Sequence, residues 1–192
     1  MLPTPLTCWI IDDDRLAADE LIRLLQHHDY GRVLGMSTTV AGWENRPVDC
    51  LFIRITHWDD YLQARALHHP ANAPTIIFLS GRHEKCTGHL PEVLDFHLQP
   101  PYRASRLGAI FTRRAARDFH PRSLDFFFLK AQCRFEVIGF STLVRVRGRG
   151  GSLTIQTDDR EYTISGTLTA FQNRLPGRFH QVRRGILVTR NG

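Results

Sequence analysis

Apolar and polar positions form alternating blocks along the first part of the chain. Unbroken apolar runs bounded by polar residues are typical of strands that are covered on both faces. Such runs predict five strands: Leu6–Ile11, Arg32–Met36, Asp49–Arg54, Pro74–Ser80 and Val93–Leu98. Apolar residues at helical spacing predict helices at Arg15–His27, Tyr61–Leu67 and Ala104–Arg117, with room for only a stunted helix between Thr38 and Asn45. This alternation predicts an α/β fold with a doubly wound, five-stranded parallel sheet.

The periodicity changes from helical to strand-like after residues 118–123, which we interpret as a linker between domain 1–117 and domain 124–192. The second domain is predicted to be smaller, mostly β and antiparallel. Its predicted strands are Leu124–Lys130, Arg134–Phe140, Leu143–Arg147, Ser152–Thr157 and Arg160–Ile164, with a turn at Gly148–Gly151. Thr167 is a suitable cap for a short helix through Leu175, and Arg178–Arg190 closes the chain.

Arg54 is the anomaly of the first domain, because it ends a strand that is otherwise apolar. A buried guanidinium without a partner costs several kcal/mol. The acidic run that follows the first strand, Asp12-Asp13-Asp14, is the nearest source of carboxylates. We therefore expect Arg54 to form an internal ion pair with Asp12 and Asp13 and to lower the pKa of these carboxyl groups. The alternative is that Arg54 extends into solvent at the strand end.

Composition narrows the class of protein. The 192 residues are 42% hydrophobic, enough for a substantial core, yet no window of about 18 apolar residues is present. The first residues lack the pattern of a secretory signal, so we expect a cytoplasmic protein without a membrane segment. The cysteines are scattered without a C-x-x-C pair and are expected to be reduced thiols: Cys8, Cys50, Cys86 and Cys133.

Charge is distributed unevenly between the two parts of the chain. Residues 1–112 contain 10 Lys or Arg against 13 Asp or Glu, whereas residues 113–192 contain 15 against 6. A basic second half favours a polyanion such as nucleic acid as its partner, although a solvated basic face is a common alternative.

The predicted strands of the first domain place polar residues at one edge of the sheet. These are Asp12, Asp13, Arg54, Ser80 and Gln99, which is followed by Pro100. In order and spacing they resemble the site of the receiver domain of bacterial two-component response regulators. The resemblance implies an acidic cluster that holds Mg²⁺, a phosphate-accepting Asp, a Ser or Thr, and a Lys before Pro. This chain has Arg54 in place of the acceptor Asp and Gln99 in place of the Lys.

These substitutions predict a receiver-like site that does not take phosphate, because the acceptor carboxylate is absent and a cation would repel Mg²⁺. Asp59 and Asp60 are alternative acceptors, but they are expected to lie in a loop beyond the strand end, where solvated side chains are commoner. The histidines lack the spacing of metal ligands, and no catalytic arrangement is visible. We therefore expect no metal, no cofactor and no enzymatic activity.

The second half resembles the LytTR DNA-binding domain of bacterial regulators. The resemblance rests on the Phe128-Leu-Lys130 opening, the strand Leu143–Val146, the helix Leu168–Leu175 and the segment Phe179–Thr189. It implies that two segments enter successive grooves of DNA, and the corresponding residues are Arg147, Arg149, Ser152, Arg183 and Arg184. Arg183 and Gly185 replace the His and Ser of the family pattern.

The chain stops at Gly192, before two further strands of the family pattern. We expect either that the exposed sheet edge pairs with a partner chain or that the sequence is shorter than the natural protein. Together the resemblances predict a transcriptional regulator that binds promoter DNA as a homodimer and meets a protein partner through its receiver-like domain. The alternative is an adaptor or antagonist that acts through protein contacts and does not bind DNA.

Overall fold

The computed structural model describes residues 6–43, 46–61, 74–88, 96–116, 126–131, 134–172, 175, 179–183 and 185–189. The chain divides into two compact units. The first consists of Met1–Cys86 and Pro91–Leu124, and the second of Thr87–Leu90 and Asp125–Gly192. The predicted linker at residues 118–123 lies outside the described residues, so the predicted domain boundary stays a prediction.

The strands up to residue 98 are β1 (Leu6–Ile11), β2 (Gly31–Ser37), β3 (Cys50–Arg54), β4 (Thr75–Leu79), β5 (Lys85–Gly88) and β6 (His97–Leu98). The helices are α1 (Arg15–His27) and α2 (Ala104–Ala116), with 3-10 turns at Val40–Trp43 and Ile55–His57. Asp14 caps α1, because its carboxylate accepts a hydrogen bond from the backbone N–H of Ala17 at 3.1 Å.

Five of these strands form the sheet of the first unit, in the order β2-β1-β3-β4-β6. Every pairing is parallel. The predicted doubly wound parallel sheet is therefore confirmed, and its order is one in which ligands meet the carboxyl ends of the strands. Ile11 pairs with Ile53, so that the residues after β1 lie beside the end of β3. Leu21 and Leu25 of α1 are fully buried in the core on one side of this sheet.

Two predictions for the first unit extend outside the described residues. The predicted strand Val93–Leu98 is described only from residue 96, where β6 occupies two positions. The predicted helix at 61–67 is described only at residue 61, which is helical together with 58–60. Strand β5 was not predicted, because its four residues, Lys-Cys-Thr-Gly, show neither an apolar run nor a clear alternation.

The strands of the second unit are β7 (Phe126–Ala131), β8 (Arg134–Gly139), β9 (Leu143–Arg149), β10 (Ser152–Thr157), β11 (Glu161–Ser165), β12 (Phe179–Arg183) and β13 (Ile186–Thr189). A five-stranded sheet has the order β11-β10-β9-β13-β12, and a three-stranded sheet has the order β5-β8-β7. The pairings within the five-stranded sheet are antiparallel, as predicted for a mostly β domain.

One helix, α3 (Leu168–Gln172), packs against the five-stranded sheet. Thr167 caps it, since its hydroxyl oxygen accepts a hydrogen bond from the N–H of Ala170 at 3.3 Å. Phe171 of this helix joins a cluster with residues of both sheets and with Phe140, which follows β8: Phe127, Leu129, Ile138, Val146, Leu153, Ile155 and Leu187. The predicted cap is confirmed, and the helix is shorter than the predicted span to Leu175.

The closing segment is a hairpin of two strands. Gly185 between β12 and β13 has φ +84, a conformation that favours glycine and reverses the chain. β13 lies between β9 and β12, so the last described strand is in the interior of the sheet. In the described part of the chain, no helix has the length and apolar character needed to cross a membrane.

Candidate functional site

The five polar residues predicted at the edge of the parallel sheet meet there in two connected groups. Asp12 and Asp13 follow β1, Arg54 ends β3, Ser80 follows β4 and Gln99 follows β6. The parallel order brings these strand ends side by side, because neighbouring parallel strands end at the same edge.

Arg54 forms the ion pair that the sequence predicts. Its Nη1 lies 3.0 Å from Oδ1 of Asp12, and its Nε lies 3.7 Å from Oδ1 of Asp13. The side chain of Arg54 is 13% exposed and that of Asp12 is fully buried, so the guanidinium does not extend into solvent. Asp13 is 59% exposed, and its longer contact contributes little in water. The close pair with Asp12 is the central contact of the site.

The predicted effect of this pair on the pKa of Asp12 is wrong. Burial raises the pKa of Asp12 above its usual value, and this outweighs the lowering by the backbone N–H of Asp14 and by Arg54. The N–H of Asp14 donates to Oδ1 at 2.9 Å, the same oxygen that Arg54 contacts. Oδ2 is buried without a hydrogen-bond partner among the described residues. Arg54 therefore compensates only part of the cost of burying this carboxylate.

Glu84 adds a third carboxylate, which the sequence interpretation missed. Its Oε2 lies 3.8 Å from Nη2 of Arg54 and accepts a hydrogen bond from the backbone N–H of Gly81 at 2.7 Å. The N–H of Glu84 in turn donates to the carbonyl of Gly81 at 3.0 Å, which closes a turn after β4. Glu84 comes four residues after Ser80 in a polar loop, and only the folded turn directs it toward Arg54.

Gly81 permits this close packing because it has no side chain. A Cβ at this position would lie 2.9 Å from Nη2 of Arg54 and 3.0 Å from Oε2 of Glu84. Both distances are shorter than ordinary contacts, so a larger residue would displace the guanidinium or the carboxylate. The site is therefore filled by groups of the chain itself.

Ser80 and Gln99 hold the same loop by hydrogen bonds. The amide nitrogen of Gln99 donates to the carbonyls of Gly81 at 2.9 Å, of Arg82 at 3.2 Å and of Glu84. The hydroxyl of Ser80 donates to the carbonyl of Glu84 at 3.3 Å. Gln99 replaces the Lys that the receiver resemblance implies, and here its amide is committed to backbone carbonyls.

His97 completes the network from β6. Its Nε2 lies 2.8 Å from the hydroxyl of Ser80, which is fully buried. Burial, together with the positive charge of Arg106, lowers the pKa of His97 to about 4, so the ring is neutral at pH 7. Sequence reasoning assigned no role to this histidine, because an isolated His gives no signal of a tertiary contact.

In the described part of the chain, no group of three or more His, Cys, Asp or Glu residues is arranged to hold a metal ion. Asp60, one of the alternative acceptors, has a 67% exposed side chain 3.8 Å from His57. Asp59 and Asp60 lie in a helical segment at 58–61, where the sequence interpretation expected a loop.

In the second unit, the four predicted DNA-binding residues that the structure describes lie on and beside one hairpin. Arg147 and Arg149 belong to β9, and Ser152 begins β10 after a turn formed by Gly150 and Gly151. Both glycines have positive φ, +57 and +76, as a tight two-residue turn between antiparallel strands requires. Arg147 and Arg149 are exposed. Arg184 lies outside the described residues.

The hairpin of β9 and β10 and the turn that contains Gly185 are neighbours. The N–H of Gly148 donates to the carbonyl of Gly185 at 2.9 Å. Ile186 pairs with both Arg147 and Arg183, so the two arginines lie in one row across the sheet. Two separate contact points were expected from the resemblance, and the structure brings them into one patch.

Comparison with known families gives a match within the second unit. Residues 134–192 match the family model of the LytTr DNA-binding domain. The family that this part of the chain matches is the one that the sequence resemblance names. No curated protein matches the chain.

Three solved structures are partly similar. A LytTr DNA-binding domain of a putative methyl-accepting/DNA response regulator from Bacillus cereus is 18% identical, with TM-score 0.32, and covers 36% of this chain and 64% of that chain. The response regulatory domain of mrkE from Klebsiella pneumoniae is 21% identical, with TM-score 0.43, and the match covers 58% of this chain and 96% of that chain. The response regulator RcsB of Salmonella typhimurium is 14% identical, with TM-score 0.44, and the match covers 59% of this chain and 62% of that chain.

Proposed function

We propose that this chain is a DNA-binding transcriptional regulator of the LytTR response-regulator type whose receiver-like unit does not accept phosphate at the usual position. The match of residues 134–192 to the LytTr DNA-binding domain is the observation that carries the DNA-binding part. The ion pair of Arg54 with Asp12 carries the second part.

Arg54 removes two requirements of phosphoryl transfer to a carboxylate. The acceptor itself is absent, because a guanidinium cannot take the place of an Asp nucleophile. The guanidinium also lies 3.0 Å from Asp12, where its charge repels a divalent cation that the acidic cluster would bind. Control of the regulator then comes from protein contacts or from the amount of protein, since the covalent switch is lost.

The arginines of the second unit suit DNA. Arg147, Arg149 and Arg183 are exposed and share one side of the sheet. Arginine binds phosphate oxygens and also pairs with guanine through two hydrogen bonds in the major groove. The proposed domain arrangement is residues 1–117 and 124–192, the regulator acts as a homodimer in the cytoplasm, and the first unit meets a protein partner.

DNA binding is tested with a labelled random-sequence duplex and fluorescence anisotropy over a range of salt concentrations. We expect binding at low salt, with log affinity falling linearly against log salt because phosphate contacts release counterions. Selection from a random duplex pool should then enrich a defined sequence. Arg147→Ala and Arg183→Ala should each weaken binding and reduce the salt slope by about 1.

Arg134→Ala is the matched control, because Arg134 is an exposed arginine of the same unit that lies on β8, outside the five-stranded sheet. It should leave affinity and slope close to those of the wild type. Failure of the wild-type protein to bind any duplex at low salt would contradict the proposal and favour an adaptor that acts through protein contacts.

A further inference from the structure

The side of the five-stranded sheet that faces away from α3 has an unusual composition on three strands. Antiparallel pairing aligns Arg147 with Thr154, and Thr154 with Thr163. Residues directly opposite each other point to the same face of a sheet, and alternate residues along each strand share that face. The resulting outer face has nine residues: Arg145, Arg147, Arg149, Ser152, Thr154, Gln156, Glu161, Thr163 and Ser165.

The two sides of these strands differ completely in chemistry. The inner side carries Val146, Leu153 and Ile155, which are buried in the core with Phe171 of α3. The outer face has no apolar side chain, and each of its nine residues is exposed or half-buried. The outer face carries three arginines and one acidic residue, Glu161. Glu161 lies on the outermost strand, β11, at the end of the face away from the turn between β9 and β10. Such a face suits a hydrated, negatively charged partner.

We propose that this outer face binds the phosphate backbone of duplex DNA, so that DNA contacts the flat side of the sheet and not only the turns at its end. The inference rests on the proposed function, because it names the surface that the DNA occupies. Arg145, Thr154 and Thr163 thereby become DNA-facing residues that neither the sequence nor the family resemblance assigned.

The dimensions of the face support phosphate contact. Arg145, Arg147 and Arg149 repeat at about 6.8 Å, twice the rise per residue, and Thr163 lies about 10 Å from Arg147, two strand spacings away. Three strands are too broad for a major groove about 12 Å wide, whereas a two-stranded ribbon fits. The turn of β9 and β10 therefore enters a groove while the face behind it lies on the flanking phosphates. Arginine and hydroxyl side chains are ordinary donors to phosphate oxygens.

Arg145 supports this arrangement through its neighbour. Its Nη2 donates to the side-chain oxygen of Gln156 at 2.9 Å, which orients the guanidinium on the outer face. Arg183 continues the row of Arg147 beyond the three strands, on β12. The buried Ile186 of β13 lies between the two arginines in this row, so the basic face of the three strands ends at β13 and Arg183 lies on the far side of it.

The experiment places a charge at Thr163, which is exposed at the centre of β11, two strands away from Arg147 of β9. Thr163→Glu should weaken binding of a random-sequence duplex by about three- to tenfold at low salt, as expected for one repulsive charge near a phosphate. Thr163→Lys should tighten binding and increase the salt slope by about 0.9. Opposite effects of the two variants exclude a general loss of folding as the cause.

Thr169→Glu is the matched control, since Thr169 is an exposed threonine of α3 on the opposite side of the sheet. It should bind like the wild type apart from the small effect of net charge. If both Thr163 variants bind like Thr169→Glu, or shift affinity in the same direction, the inference is overturned. Because the wild type would still bind in that case, this outcome is distinct from failure of the proposed function, in which the wild type binds no duplex.

Discussion

Replacement of Arg54 by Met would remove the cation and keep most of the side-chain volume. Asp12 would then be fully buried with only the N–H of Asp14 as a described donor to it. Breaking a buried ion pair by removing one partner typically costs about 3–5 kcal/mol. Asp12 limits this cost, because its carboxylate can bind a proton and become neutral. Protonating a carboxyl group whose unfolded pKa is about 3.9 costs about 1.4 kcal/mol for each unit by which the pH exceeds that pKa. The electrostatic loss at pH 7 therefore cannot exceed about 4 kcal/mol, and we expect about 3 kcal/mol.

The loss should depend on pH in a defined direction. Burial already raises the pKa of Asp12, and removal of Arg54 removes one contribution that lowers it. A carboxyl group with a raised folded-state pKa stabilises the fold fully below its unfolded pKa, and this stability is lost as pH rises through the folded pKa. Because the cost of protonating Asp12 also sets the upper limit here, the electrostatic loss of stability at pH 5 is at most about 1.5 kcal/mol. The variant should therefore approach the wild type as the pH falls.

Tryptophan fluorescence during urea unfolding measures this effect in the relevant unit, because all three tryptophans, Trp9, Trp43 and Trp58, belong to the first unit. Arg23→Met is the control, since Arg23 is exposed on α1, and it should change stability by less than about 0.5 kcal/mol. Asp12→Asn combined with Arg54→Met should recover part of the loss and remove most of its pH dependence. Equal stability of Arg54→Met and the wild type at pH 7 would refute the assignment of a buried, energetically coupled pair.

Three further predictions concern the same site. Arg54→Asp should create a set of carboxylates with Asp12 and Asp13 and make the melting temperature rise with Mg²⁺, whereas the wild type should not respond. Gly81→Ala should cost about 1–3 kcal/mol in urea unfolding, because its Cβ would lie 2.9 Å from the guanidinium of Arg54; an unchanged midpoint would contradict the packing. Gln99→Leu should remove the side-chain donor to three carbonyls, of which those of Gly81 and Glu84 keep the N–H of Glu84 and the hydroxyl of Ser80, and should speed hydrogen exchange in the loop 81–84; unaltered exchange would count against this role.

Local patterns predicted the elements of this fold where the apolar period is strong. The bounds of β1 and α1 agree with the sequence prediction at both ends. The apolar run of β1 ends at Ile11, and the helical repeat of α1 begins at Arg15, directly after its cap Asp14. The pairing of Arg54 with Asp12 also followed from sequence, since an isolated charge at the end of a buried strand requires a partner. These inferences needed only the cost of burial and the order of parallel strands.

Other features depend on tertiary structure and could not be predicted. Glu84 reaches Arg54 only because a turn after β4 folds back, and its loop sequence resembles any solvated loop. The sign of the pKa shift of Asp12 depends on how completely the carboxyl is buried, which sequence does not give. The hairpin of β12 and β13 was predicted as one closing segment, because Gly185 alone gave a weak turn signal. The single row of Arg147 and Arg183 follows from that hairpin.

Intact-mass spectrometry after incubation with Mg²⁺ and a small phosphodonor tests the central claim most directly. The claim is that Arg54 occupies the position of a phosphate acceptor and is held there by Asp12. The wild-type protein should keep its unmodified mass, while a receiver domain with an acceptor Asp gains phosphate under the same conditions. A phosphorylated aspartate in the wild-type chain would contradict the account.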